Sequence, residues 1–313
     1  MDLARSALRL RPLIPQDRDL LLQFVYGHPR TYYYPGWTSL QDWLAARGGW
    51  AMTVETRLVA ALVVRPENDV LAWLRFFAAR DDVPEDLAWR LLWRANVPDL
   101  AGTGVRWVAA LGGRPWVDRW LRRQGFHRQV MLRFLYWSGA SLPEAPVPSG
   151  FMLRPMKRTD LPAVYEVDRA AFPPLWRLRF DLLQHAFRGA WLALVVEETT
   201  TARVAGYAIF TPSPQGAHLA RLAVHPQWQR QGLARALVVA GLRAVRRGSA
   251  GWVTVNTQME NQPALRLYQQ LGFQEHTAVP VWLRRLDEQP LETHALHAAI
   301  TPTSTHDHAP DRL

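Results

Sequence analysis

Cysteine is absent from the 313 residues, which excludes disulfides, thiolate nucleophiles, zinc knuckles and iron–sulfur ligation together. Lysine is nearly absent. Lys157 is the single one, so the net charge of +10 (37 basic against 27 acidic residues) is carried by arginine. No arginine run exceeds two and no nucleic-acid-binding signature accompanies the charge, which argues against a nucleic-acid partner. No stretch approaches the roughly 20 apolar residues that span a bilayer. The most apolar helical stretch, 233–245, is broken by Arg235 and Arg243. The N-terminal residues show no apolar core of about 7–15 residues. The expectation is a cytoplasmic protein with no membrane partner. What remains is globular in composition, 49% hydrophobic and 20% charged.

The chain repeats itself. Residues 9–17 (RLRPLIPQD) match 152–160 (MLRPMKRTD) at an offset of 143. Trp50-Ala-Met-Thr-Val-Glu55 approximates Trp191-Leu-Ala-Leu-Val-Val-Glu197, offset near 141, and Leu121-Arg-Arg-Gln-Gly-Phe126 matches Tyr268-Gln-Gln-Leu-Gly-Phe273 at 147. The order is kept and the offset barely drifts, as a duplicated unit requires. Between the copies, residues 138–150 carry three prolines and small polar residues and read as a linker. The expected division is 1–137, a linker at 138–150, 151–286, and a disordered tail at 287–313. The four histidines of that tail have no fixed geometry, so no metal site is expected.

Within the second unit the periodicity predicts strands at 151–154, 191–197, 204–211, 217–224, 251–257 and 279–285. Helices are predicted from 159, over 232–247 with Leu233, Leu237, Ala240 and Val245 on one face, and over 262–271, closed by Gly272. The fold class is α+β: a twisted, mostly antiparallel sheet flanked by helices, with one β–turn–α crossover, built twice in tandem.

That crossover carries the chemistry. A strand ending at Val224 turns at His225-Pro226, and Gln229-Arg-Gln-Gly-Leu-Ala234 runs straight into a helix. A helix N-terminus has unpaired N–H groups and a positive dipole end, and so attracts phosphates. Small residues at Gly232 and Ala234 leave the backbone approachable. Arg230 and Arg235 are placed to neutralise phosphate charge.

This segment resembles the signature of the GNAT acyltransferases, Gln/Arg-x-x-Gly-x-Gly/Ala, here Gln229-x-x-Gly232-x-Ala234. Leu222-Ala-Val224 before it and Asn261-x-x-Ala264-x-x-Leu-Tyr268-x-x-Leu-Gly-Phe273 after it extend the resemblance over 151–286. The resemblance implies acetyl coenzyme A as co-substrate, a small-molecule or peptide amine as acceptor, and no metal. It also implies a role for each matched residue. The edge Leu222, Ala223, Val224 receives the pantetheine arm, and an N–H near Val224 polarises the thioester. The run Gln229, Arg230, Gln231, Gly232, Leu233, Ala234, Arg235 holds the pyrophosphate. Asn261 contacts the arm, and Tyr268 protonates the departing thiolate. Tyr268 also suits core packing, and Asn261 suits a helix cap. Some relatives carry a glutamate base where Asn256 stands here; an amide does not accept that proton. His218, His225, Glu166 and Glu197 are the alternative candidates. A mycothiol-synthase-like tandem enzyme and a non-catalytic acyl-CoA-binding module are rival readings. No residue pattern sets the oligomeric state.

The first unit keeps the pattern and loses the chemistry. An ungapped alignment at offset 145 places Pro84, Leu87 and Trp89 on Gln229, Gly232 and Ala234, and adds Asp81, Asp82, Glu85 and Asp86. The Gly-Phe anchor puts Leu121 on Tyr268. Leu87, Leu91 and Leu92 are expected in its core. The aromatic run Tyr32-Tyr-Tyr-Pro-Gly-Trp37 is expected to bind the acceptor or to pack against the other unit, and the loop at 172–187 to line the acceptor site.

Overall fold

The computed structural model describes residues 8–45, 49–139, 142, 144–214, 216–247 and 251–287. In chain order the first unit runs β1 (Leu8–Pro12), α1 (Arg18–Gly27), β2 (Tyr32–Tyr33), α2 (Leu40–Ala45), β3 (Gly49–Val54), β4 (Arg57–Pro66), β5 (Leu71–Ala79), α3 (Glu85–Ala101), β6 (Trp107–Leu111), α4 (Pro115–Arg123) and β7 (His127–Trp137). The second runs β8 (Phe151–Pro155), α5 (Leu161–Ala171), α6 (Phe180–Arg188), β9 (Leu192–Glu198), β10 (Val204–Ser213), β11 (Gly216–Val224), α7 (Leu233–Arg247), β12 (Trp252–Gln258), α8 (Gln262–Gln270) and β13 (Gln274–Arg285).

The repeated Leu-Arg-Pro…Asp motif builds the same corner twice. Arg11 makes a two-pronged contact with Asp17 at 2.7 Å each, and Arg154 does so with Asp160 at 2.7 and 2.9 Å. Each aspartate also accepts from a main-chain N–H, of Ile14 or Lys157, and so starts the helix that follows. Planar guanidinium-to-carboxylate pairing fixes direction as well as distance.

The strands of both units join one sheet, in the order β1-β3-β4-β5-β6-β13-β7-β12-β11-β10-β9-β8, with β2 beside β5. The pairings are antiparallel except β5 with β6 and β11 with β12. Each parallel pair is bridged by a long helix, α3 or α7, as a parallel crossover demands. The last strands are exchanged: β13 lies between β6 and β7, and β7 lies between β13 and β12. Each unit's sheet is therefore completed by a strand of the other.

The cores follow. α7 buries Leu237, Val238, Val239 and Leu242 completely against β10 and β11. Each such side chain contributes about 1.5–3 kcal/mol. A Cβ at Gly241 would fall 2.0 Å from the Phe210 ring, so only glycine lets α7 approach β10 this closely. In the first unit α3 buries Ala88, Trp89, Leu92 and Trp93, whereas the expected core residues Leu87 and Leu91 are half-buried. A third cluster joins the units: Leu71, Trp73 and Ala109 meet Val130, Leu132, Leu175, Val281 and Leu283.

Two expectations are corrected here. The segment 172–187 is not a simple loop. A short 3-10 turn at Pro174–Trp176 leads into α6, which buries Leu183 and Ala186. The closing strand begins at Gln274 rather than near 279, because its polar start is held by long-range pairing to β7. Part of the linker is packed: Ala145 is buried in the second core, with Leu142 against it. Of the expected tail only Asp287 lies among the described residues; 288–313 lie outside them.

Candidate active site

β11 and β12 pair at Gly216–Leu219 against Trp252–Val255 and then part. Beyond that point β12 stays paired with β7 as far as Gln258, and β11 stays paired with β10 as far as Val224. The gap is sharpened by a bulge. Ile209 faces Arg221 and Phe210 faces Leu219, so Ala220 is an extra residue in β11. A cavity of about 500 Å³ opens at the gap.

The cavity collects almost every expected binding residue. Leu222, Ala223 and Val224 line it from β11, Gln229, Arg230 and Gly232 from the turn, and Leu233, Ala234 and Arg235 from the first turn of α7. Asn261 completes the set. Gln231 and Tyr268 are not among the lining residues. Phe172 and Pro173, the start of the segment expected to line the acceptor site, also line it. Not expected were Ala171 at the end of α5, Trp228 in the turn, and Gln258, Glu260, Pro263, Ala264, Arg266, Leu267 and Gln270 around α8. Pro263 and Leu267 sit within the matched α8 motif, so their spacing was the available signal.

The turn owes its shape to two left-handed residues, Arg230 (φ 66°) and Gly232 (φ 86°). A non-glycine residue pays roughly 1–2 kcal/mol for that geometry. A Cβ at Gly232 would meet nothing nearer than Pro148 Cγ at 3.7 Å, so it is the backbone angle, and not protein crowding, that requires glycine. The side chain of Gln229 donates to the Val224 carbonyl at 3.0 Å, tying the turn to the strand end. The N–H of Ala236 bonds the Gly232 carbonyl at 3.0 Å. The preceding α7 amides, Leu233 to Arg235, therefore have no carbonyl one turn back. With Arg230, Arg235 and Arg266 on the walls, this end of the cavity suits an anion.

Asn261 caps α8. Its Oδ1 accepts from the Ala264 N–H at 3.3 Å and its Nδ2 donates to Thr257 Oγ1 at 3.1 Å. Tyr268 is 4% exposed, with its ring 5.4 Å from Phe273. Burial pushes its phenol well above the usual range. Ala264 and Leu267, one turn before it and adjacent to it, are cavity wall.

The candidate bases separate clearly. Glu197 is bound to Arg154. Glu166 is exposed. The His225 ring nitrogen accepts from the Gln227 N–H at 3.3 Å; burial, then Arg203, lower its pKa. His218 lies in the last paired stretch of β11, before the strands part, with Nδ1 2.9 Å from Thr254 Oγ1. Burial lowers its pKa below the ordinary 6.5, against opposing hydrogen bonds from Asn256 and Thr254.

Behind the cavity is a buried network that the sequence reading did not find. Asp168 is fully buried and accepts from Tyr207 Oη at 2.5 Å, Arg221 Nε at 2.8 Å and the Leu178 N–H at 3.2 Å. Arg221 also donates to the Trp176 carbonyl at 2.7 Å and lies over the Phe172 ring at 3.6 Å. A buried charge needs such satisfaction.

The corresponding place in the first unit is closed. β5 and β6 also pair briefly, Leu71–Trp73 against Trp107–Ala109, and then part. Into that gap the chain lays β2, pairing Tyr32 and Tyr33 with Phe77 and Phe76. The Tyr34 N–H bonds the Arg75 carbonyl at 2.8 Å, and Tyr32 Oη accepts from the Leu111 N–H of β6 at 2.8 Å. The ungapped alignment is corrected as well. From the end of β5 to the start of α3 only 80–84 intervene, against 225–232 in the second unit, so the phosphate turn is shortened rather than filled. Asp82, Glu85 and Asp86 bond Arg57, Arg123 and Gln124. Leu121 stands where Tyr268 does, fully buried. In the aromatic run Tyr32 fills the gap and Trp37 lies against the α5–α6 core of the second unit, whereas Tyr33 is exposed.

Residues 161–273 match the acetyltransferase (GNAT) family profile. The chain is 30% identical over 122 residues to the [ribosomal protein bS18]-alanine N-acetyltransferase of Escherichia coli K12, covering 39% of this chain and 80% of that protein. It is 28% identical over 235 residues to the mycothiol acetyltransferase of Saccharopolyspora erythraea, covering 69% of this chain and 73% of that protein. A shorter match, 48% over 50 residues, reaches the mycothiol acetyltransferase of Nocardiopsis dassonvillei but spans 15% of its length. In fold, the chain resembles a tandem GNAT protein from the clavulanic acid biosynthesis pathway, with a TM-score of 0.61 and 18% identity, covering 91% of this chain and all of that one. The chain belongs to the GNAT acetyltransferases, a family of N-acetyltransferase enzymes.

Proposed function

We propose that this chain transfers an acetyl group from acetyl-CoA to a primary amine, by direct attack on the thioester, at a single site in the second unit. The carrying observation is the β11–β12 gap with the left-handed turn and the α7 N-terminus at its end. Its donor set fits a diphosphate joined to a long thin arm: main-chain N–H groups and arginines at one end, an unpaired strand edge along the side. We keep 1–137 and 151–286 as the two units, joined by 138–150 and interlocked by their exchanged strands. No described helix is long and apolar enough to cross a membrane; a cytoplasmic location fits that finding.

When bound, acetyl-CoA supplies an activated acyl carbon and a thiolate leaving group. The 229–235 backbone and Arg230 and Arg235 hold the phosphates. Leu222–Val224 offers main-chain groups to the arm, and an N–H near Val224 stabilises negative charge on the carbonyl oxygen. Asn261, with one N–H of its amide committed to Thr257, has a second for the arm. Tyr268 stays protonated at neutral pH and gives its proton to the leaving sulfur. We assign the proton acceptor for the amine to His218. It sits beside the point where the strands part, and burial keeps it neutral at pH 7.

A small-molecule amine acceptor of the mycothiol type is the more specific reading. It is favoured by the alignment of 235 residues to a mycothiol acetyltransferase, which is longer than either unit. The reaction is easily followed. With no cysteine in the chain, coenzyme A thiol released from acetyl-CoA titrates without protein background. A panel of amines, from amino sugars to N-terminal peptides, should show amine-dependent thiol release. Acetyl-CoA binding with no release for any amine would favour the non-catalytic acyl-CoA-binding module.

A further inference from the structure

Turns between strands normally lie exposed, yet the β4–β5 turn of the first unit buries two polar residues, Glu67 and Asn68, at 9% and 7% exposure. Asn68 is fully engaged. Its Oδ1 accepts from the Val70 and Leu71 N–H groups at 3.0 and 2.9 Å, which shapes its own turn. Its Nδ2 points across to the second unit and donates to the carbonyls of Pro174, Leu175 and Arg177 at 3.0, 3.3 and 3.1 Å. Beside it the Arg179 N–H bonds the Glu67 carbonyl at 3.2 Å. Leu175 is buried in the cluster between the units.

The clasped segment is the one whose start, Ala171 to Pro173, walls the cavity. Its middle, the Trp176 carbonyl, receives Arg221, and Leu178 bonds Asp168. We propose that Asn68 is a positioning residue for the acetyl-CoA cavity: the first unit, whose own gap is filled by β2, holds the wall of the other's. The proposal rests on the acetyl-CoA reading of that cavity. It also gives the first unit a task that fold alone does not.

Asn68→Asp separates the two halves of the bonding. The carboxylate keeps the acceptor for Val70 and Leu71, loses every donor to 174–177, and sets an oxygen against three carbonyls. The expected result is a KM for acetyl-CoA raised about tenfold with a smaller change in kcat. Amide hydrogen exchange should become faster at 172–179 and stay unchanged in α7. A residue that only stabilised the fold would lower the melting temperature and leave KM and the local exchange alone; that outcome overturns the proposal. If the aspartate variant does not fold, Leu175→Ala loosens the same segment from the other side and must give the same pattern; normal KM and exchange there also overturn it. Exchange reads the clasp with no cofactor present. Faster exchange in a protein whose parent never binds acetyl-CoA would therefore sink the functional reading and leave the clasp standing.

Discussion

Two gaps in one sheet, built on the same plan, have opposite contents. Where β11 leaves β12, an open cavity runs to a helix N-terminus. Where β5 leaves β6, a strand of the same chain takes the space, and Tyr32 Oη reaches across to the far strand. The first unit's gap is closed by main-chain pairing along the β5 edge. The difference shows that parting the strands is a property of the fold, whereas an open cavity also needs the gap left unfilled. In the first unit β2 fills the gap and only 80–84 connect the strand to the helix.

The comparison can be broken most severely at the turn. Gly232→Trp forces a left-handed angle on a bulky residue at the cavity mouth. It should weaken acetyl-CoA binding at least about 100-fold, equal to about 2.7 kcal/mol, in a calorimetric titration; unchanged affinity would remove the turn from the site. Next, Tyr268→Phe deletes one oxygen from a buried ring. The expected fall in kcat is about 100-fold or more, with acetyl-CoA affinity nearly constant. Full turnover would return Tyr268 to a packing role, like Leu121 in the first unit.

A smaller effect belongs to pH. His218 must be neutral to accept a proton, and its pKa is lowered by burial. Activity is therefore expected to be full above 6.5 and to fall as acidification protonates the ring. His218→Gln should cost about tenfold or more in kcat and erase that acid limb. A persisting limb would place the base elsewhere. The smallest effect lies in the closed gap. Tyr32→Phe removes the acceptor for the Leu111 N–H and should cost about 1 kcal/mol of stability, read by chemical denaturation, with acetyl-CoA stoichiometry unchanged. A second bound acetyl-CoA would mean the strand alone closes the first site.

Much of this was legible in the residues, and the reasons are local. The Leu-Arg-Pro…Asp corner, the turn at 229–234 and the α8 motif are short-range patterns whose geometry their own spacing dictates, and ten of the eleven expected binding residues line the cavity. What was not legible depends on partners distant in sequence. The exchange of β7 and β13 joins strands about 150 residues apart. β2 is two residues long, and pairing with Phe76 and Phe77 alone makes it a strand. Asn68 looks like any turn asparagine until its Nδ2 is seen on carbonyls more than 100 residues away. The shortened 80–84 turn was hidden by aligning without gaps.

The central claim is that one gap is open and one is closed. Titration of the intact protein with acetyl-CoA in a calorimeter tests it most directly. The account predicts one site per chain, saturable and lost in Gly232→Trp. Two equivalents bound per chain, or a single site that survives that substitution, would contradict it.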